Sequence, residues 1–197
     1  MTIAVIAEKP SVARDIAGVL GARAAERGVL RSDRYVITWA IGHLVGLCEP
    51  HELRPEWKRW RRESLPMIPA ADEWKLKPLT SSRDQLDVVA KVLRERAVTE
   101  IVCATDAGRE GELIFRYVAD YLGVSKPVRR LWISSLTPEA IRTGFERLRD
   151  GAEYDGLADA ARARSRADWL VGMNLTRAYT VTHGDLLSVG RVQTPTL

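Results

Sequence analysis

Cysteine is nearly absent from this 197-residue sequence: Cys48 and Cys103 are the only two. Cys103 sits in the apolar run Ile101-Val102-Cys103-Ala104 and reads as a small buried hydrophobe, so no disulfide framework is expected and a reducing compartment fits. No apolar run approaches the roughly 18 residues of a membrane span. The opening Met1-Thr2-Ile3-Ala4-Val5-Ile6-Ala7-Glu8-Lys9 lacks the basic start and small-residue cleavage site of a signal peptide, which makes the cytoplasm the expected compartment. A Gly-x-x-x-x-Gly-Lys-Ser/Thr loop and a Gly-x-Ser-x-Gly elbow are both missing, leaving ATP hydrolysis and serine-hydrolase chemistry without support. His43, Cys48 and His51 lie close together, but a structural zinc site takes four ligands and no fourth is near in sequence. Internal repeats and low-complexity segments are also lacking.

What is present is an ordinary globular composition, 46% hydrophobic with only 7% aromatic residues, long enough for one large domain or one domain and part of another. A formal net charge of +4 leans mildly towards a polyanionic partner, although 28% charged residues of both signs also describe an average solvated surface.

Short apolar runs alternate with helical periodicity. Ile3 to Ala7 and Ile101 to Ala104 have no polar alternation, as expected of strands buried on both faces, and Tyr35 to Ala40 and Val128 to Ile133 read as further strands. Ser11 offers an N-cap to a helix carrying Val12, Ile16, Val19 and Leu20 and ending at Gly21. Ser82 and Gln85 have capping-box spacing ahead of Leu86, Val89, Ala90 and Leu93. A helix is expected from about Arg109 to Leu122, with Tyr117 and Tyr121 facing inward and Gly123 as its stop; another begins at Thr137-Pro138. Five prolines make residues 42–80 irregular. The pattern predicts an α/β, Rossmann-like domain with a mostly parallel sheet over residues 1–150. An Ala- and Arg-rich helical region follows over 151–197.

In parallel sheets, ligands sit beyond the carboxyl ends of the strands. Glu8 directly follows the first strand and Asp106 follows Ile101–Ala104, so neighbouring strands would bring the two carboxylates to one crevice. Glu110 and Glu112 lie in the first turn of the next helix, and Gly108 and Gly111 allow close backbone approach. Carboxylates without a His/Cys set suit a hard cation, Mg²⁺ above all, and Lys9 and Arg109 would add positive charge for a phosphate. A plainer reading competes: Asp106 caps the helix and Glu110 complements its dipole.

Arg54 to Arg62 holds five basic residues against Glu56 alone, with Trp57 and Trp60 interleaved. Arginine beside an exposed aromatic is a way of holding single-stranded nucleic acid, which makes Trp60 and Arg61 candidates. Trp57 reads better as an anchor onto the core. Arg162 and Arg166 share a helical face with Asp168 just round from it, fitting either a backbone groove or a solvated surface.

Six ordered segments go further than spacing does. Glu8-Lys9-Pro10-Ser11, Gly42-His43-Leu44, Ala104-Thr105-Asp106-Ala107-Gly108-Arg109-Glu110-Gly111-Glu112, Arg164-Ser165-Arg166-Ala167-Asp168-Trp169-Leu170, Asn174 to Thr180, and Leu187 to Pro195 together resemble type IA DNA topoisomerases of the topoisomerase III kind, essentially end to end. The resemblance implies a metal-binding Toprim domain to about residue 150, followed by the start of a helical domain that cradles single-stranded DNA. It implies Glu8, Asp106 and Glu110 as the metal cluster, and places Glu8 and Lys9 near the scissile phosphate. It also implies DNA contacts from His43, Arg166, Asp168, Arg177, Ser188, Val189, Gly190, Arg191, Val192 and Gln193. The activity implied is ATP-independent breaking and rejoining of a DNA strand, assisted by Mg²⁺; helicase or single-strand-binding partners cannot be read from the sequence.

Two departures qualify this. The family's Asp-x-Asp-x-Glu has Gly108 in place of its second Asp, which favours one Mg²⁺ over two. None of Tyr35, Tyr117, Tyr121, Tyr154 and Tyr179 matches the family's nucleophile motif, so a fragment inactive in cleavage is expected, with the nucleophile downstream. A Toprim nuclease that activates water at the metal, and a DNA-binding scaffold without catalysis, are the alternative readings.

Overall fold

The computed structural model describes residues 1–191 and 193–196; Val192, Leu197 and the side chain of Gln193 lie outside the described residues. In chain order it contains β1 (Thr2–Ala7), α1 (Pro10–Leu20), β2 (Arg23–Glu26), β3 (Val29–Arg31), β4 (Tyr35–Trp39), β5 (Val45–Leu47), α2 (Pro50–Leu53) and β6 (Leu76–Pro78). There follow α3 (Arg83–Arg94), β7 (Val98–Ala104), α4 (Arg109–Leu122), β8 (Val128–Arg130), α5 (Pro138–Glu146), β9 (Arg149–Asp150), α6 (Asp155–His183) and α7 (Gln193–Thr196). These elements form two compact units, Met1–Gly46 with Pro78–Ala161, and Leu47–Lys77 with Arg162–Leu197.

The first unit is built on a seven-stranded sheet in the order β2-β3-β4-β1-β7-β8-β9. Its central strands β4, β1, β7 and β8 are parallel, and the pairings at both edges are antiparallel. The expected α/β class with a mostly parallel sheet is what forms. On one face Val5, Ala7, Ile37, Val102 and Ala104 pack with Val12, Ala13, Ile16 and Ala17 of α1 and Ile141 of α5. On the other face Thr38 meets Gln85 of α3. Two-sided burial explains why β1 and β7 show no polar alternation.

Several local expectations are corrected. The N-cap of α1 is Lys9, with Pro10 in its first turn, rather than Ser11. The Ser82–Gln85 capping box does not form: the Ser82 hydroxyl bonds the His43 carbonyl and Gln85 donates to Trp39 O at 2.7 Å. Both side chains found stronger tertiary partners than the helix end offered. β8 stops at Arg130 instead of running to Ile133. The hairpin β2–β3 was unforeseen, because all four residues of β2 are exposed and show no hydrophobic period. Tyr117 is buried as expected, whereas Tyr121 is 39% exposed. Thr137 does cap α5, its hydroxyl accepting from Ala140 N at 3.3 Å.

In the second unit Trp57, Met67 and Trp169 form a buried cluster with Leu53, Leu65, Trp74 and Met173 against it. Asn174 bonds both backbone groups of Met67, at 2.6 and 3.0 Å, and so stitches the proline-rich segment to α6. Trp57 is the anchor its surroundings suggested, with the Arg54 guanidinium 4.7 Å from its ring centroid.

Candidate metal centre and nucleic-acid surface

β1, β4 and β7 run parallel, so the residues leaving their carboxyl ends gather at one end of the sheet. Ala7 pairs with both Trp39 and Ala104, and Glu8, His43 and Asp106 all follow within a few residues. Glu8 is only 7% exposed. One of its oxygens accepts the Asp106 backbone N–H at 3.0 Å, which turns the two segments towards each other. The Lys9 ammonium lies 3.7 Å from Glu8 Oε1 and 3.5 Å from Asp106 Oδ2. The two carboxylates therefore converge on one positive charge, and the donor set is oxygen only.

Asp106 is not the cap of the following helix. That position is Gly108, and no side chain bonds there. The Asp106 side chain is instead exposed, 3.5 Å from the Lys9 ammonium. Gly111 is needed where it stands, since a Cβ added there would lie 2.2 Å from the Asp106 carbonyl oxygen. Gly108 is different: its φ of −179° is ordinary extended backbone, and an added Cβ would meet nothing within 4 Å.

Glu110 does not join this pair in the structure. Its carboxylate is 2.6 Å from His43 Nε2, and the His43 ring leans on Tyr117 with centroids 6.4 Å apart. Among the described residues no group of three or more His, Cys, Asp or Glu side chains is arranged to hold an ion. Glu112, the third acidic residue of the segment that follows β7, turns inward. It is 1% exposed and ion-paired with Arg130 at 3.0 Å and Arg116 at 2.8 Å. Sequence reasoning missed both arginines; the available signals were the i,i+4 spacing of Glu112 and Arg116 and the basic pair Arg129-Arg130 beside the apolar Leu131-Trp132-Ile133.

The basic and aromatic candidates fall in the second unit. Trp60 is 42% exposed, and the Arg177 guanidinium sits 5.2 Å from its ring centroid. Arg177 itself is buried, donating to Trp57 O and to the Met67 sulfur, and desolvation pulls its pKa below the usual arginine value. Arg61 is exposed. Arg166 lies 5.3 Å from the Trp74 ring centroid, and Trp74 meets Trp169 edge to face.

The segment after α6 is held by that helix. Val189 N and O both bond Thr176 Oγ1, and Arg191 Nε donates to Asp168 at 3.0 Å. Ser188 is exposed, and Val189 and Gly190 are half-buried. Two candidates of this segment, Val192 and the side chain of Gln193, lie outside the described residues.

Comparison with known proteins gives this geometry a family. The Toprim domain model matches residues 3–136, and the DNA topoisomerase model matches residues 152–197. DNA topoisomerase 3 of Shouchella clausii (strain KSM-K16) is 52% identical over 194 residues, which are 98% of this chain and 26% of that protein. The Bacillus subtilis (strain 168) protein of the same name is 49% identical over 193 residues, with the same coverage. The chain thus spans about a quarter of the length of the curated relatives it matches. Full-length topoisomerase I from Thermotoga maritima shares the fold, with a TM-score of 0.65 at 21% identity over 98% of this chain and 28% of that one. The chain belongs to the Toprim domain family and is homologous to part of bacterial DNA topoisomerase 3.

Proposed function

We propose that this chain is the metal-binding part, with the beginning of the DNA-cradling part, of a type IA topoisomerase of the topoisomerase III kind. The domains would be residues 1–150 for the metal and 151–197 for the start of the single-stranded-DNA domain. The observation that carries the reading is the meeting of Glu8 and Asp106 at adjacent strand ends around one positive charge.

The donors fit a hard divalent cation, and Mg²⁺ matches best because it is content with one or two carboxylates plus water and phosphate oxygens. Glu8 and Asp106 would hold it, with Glu110 joining from its place beside His43. When bound, Mg²⁺ supplies charge stabilisation to a phosphodiester oxygen. Gly108 leaves the second carboxylate of the family pattern out, which favours a single ion.

The remaining roles belong to the protein. Lys9 offers its ammonium to the scissile phosphate. In the complete enzyme a tyrosine outside these 197 residues attacks phosphorus, the bond to the 3′ oxygen breaks, and a 5′-phosphotyrosyl link forms. The proton that the tyrosine hydroxyl loses balances the one that the leaving 3′ oxygen takes up, and Glu8 would pass it across in the cleavage step, before its carboxylate turns to the cation. The link keeps the bond energy, so religation needs no ATP. Trp60, Arg61 and Arg166 would stack on bases and pair with phosphates; His43, Asp168 and the segment from Ser188 to Gln193 would add further DNA contacts, and the buried Arg177 would act through the Trp60 ring it lies against. The expected location is the cytoplasm, on DNA.

A labelled single-stranded oligonucleotide incubated with the chain and Mg²⁺ tests this. The expected result is a retarded but uncut strand. Cutting that leaves both ends free, and that persists in Glu8→Ala and Asp106→Ala, would contradict it.

A further inference from the structure

Arg130 is the last residue of β8 and is 1% exposed. A guanidinium so deeply placed must satisfy its charge and its five N–H groups internally. Its Nε donates to Glu112 at 3.0 Å. The two terminal nitrogens turn to four backbone carbonyls: Cys103 at 3.0 Å, Thr105 at 2.8 Å, Leu131 at 2.7 Å and Asp106 at 2.7 Å. Three of those carbonyls belong to the end of β7 and the turn that presents Asp106. The Trp132 ring, 5.0 Å from the guanidinium carbon, lies beside it and stacks on Tyr154.

Both peptide groups of Asp106 are therefore held. Its N–H goes to Glu8, and its C=O accepts from Arg130 and from Gly108 N at 2.9 Å. With the backbone fixed on both sides, the carboxylate is left exposed beside Lys9. Glu112 keeps the buried cation neutral and is itself held by Arg116, which also donates to Asp155 at 2.7 Å and to Gly151 O at 2.7 Å. A lysine could keep the charge but not the fork, because one ammonium cannot reach Glu112 and carbonyls on two strands together.

We infer that Arg130 is the positioning residue for Asp106: it acts through the turn's carbonyl oxygens, and Glu112 serves as its counter-charge. The inference bears on metal affinity only through the proposed role of Asp106, so its test needs one readout independent of metal.

That readout is amide hydrogen exchange on the 197-residue chain. Arg130→Lys is expected to speed exchange of the Asp106 amide at least about tenfold while the amides of β1 and α3 keep their protection. Glu112→Gln, which removes the ion pair but leaves the four carbonyl bonds, is expected to keep Asp106 protected. Mg²⁺ titration supplies the second readout. Arg130→Lys should weaken binding about 10- to 100-fold, as loss of a residue that orients a ligand does, and Glu112→Gln by much less.

Unchanged Asp106 exchange in Arg130→Lys would overturn the inference, and so would equal loss of protection in both variants. Should Arg130→Lys fail to fold, loss of Asp106 protection in a folded Glu112→Gln chain would do the same. Mg²⁺ binding indifferent to Asp106→Asn would instead count against the proposed metal site, and the exchange result would still decide the role of Arg130.

Discussion

Two glycines three residues apart serve opposite ends. Gly111 is imposed by the approach of the Asp106 backbone. Gly111→Ala is therefore expected to destabilise the chain by about 3 kcal/mol, the upper end of overpacking costs, with a lowered midpoint in urea unfolding. Gly108 meets no such constraint, and Gly108→Asp should leave the unfolding midpoint nearly unchanged while tightening Mg²⁺ binding; a looser complex in calorimetry would count against this site. The sequence could not separate these two glycines, because what distinguishes them is a contact across a turn. It also could not tell Glu112 from Glu110: both lie in the first turn of α4, yet one is locked to Arg130 and Arg116 and the other reaches His43. A third residue carries a pH dependence. Hydrogen bonds from Arg54 and then from Ala70 N hold the Glu73 carboxyl down at about 2, against an ordinary 4.5. Its contribution is complete above the ordinary value and lost as pH falls from there towards about 2. Thermal unfolding of Glu73→Gln should match the parent protein at pH 2 and fall below it at pH 6; a constant difference at both would refute the assignment.

Helices and strands were legible wherever one physical pattern dominated. The unbroken apolar runs of β1 and β7 and the caps at Gly21, Gly123 and Thr137 were each visible, since burial and capping leave local signatures. Where a side chain had a tertiary choice, local reading failed. Ser82 and Gln85 bond His43 and Trp39 instead of their own helix end. The segment after α6 forms no regular element over residues 185–190, and Thr176 and Asp168 hold it in place. Thr137→Ala should cost about 1 kcal/mol through loss of a real cap. Ser82→Ala should not act as a cap deletion, and its effect should disappear in a background where the His43 carbonyl contact is already lost. Thr176→Val is expected to raise protease cutting between residues 185 and 191 without lowering the helix content seen by circular dichroism.

At the scale of the molecule, neither compact unit is continuous in the chain. Residues 47–77 leave the first unit and belong with those from 162 onward. A sequence reading finds boundaries where composition shifts, and the prolines of 42–80 announced an irregular stretch without saying which core it serves. The buried trio Trp57, Met67 and Trp169 supplies that answer, with Met67 fixed to Asn174. The parallel sheet was deducible, and with it the meeting of Glu8 with Asp106; the Arg130 support beneath them was not. Calorimetric titration of Mg²⁺ into the 197-residue chain, beside Glu8→Gln and Asp106→Asn, tests that meeting most directly. One binding event that either substitution abolishes, with unfolding midpoints unchanged in EDTA, is the result expected. Equal heats in all three proteins would contradict it.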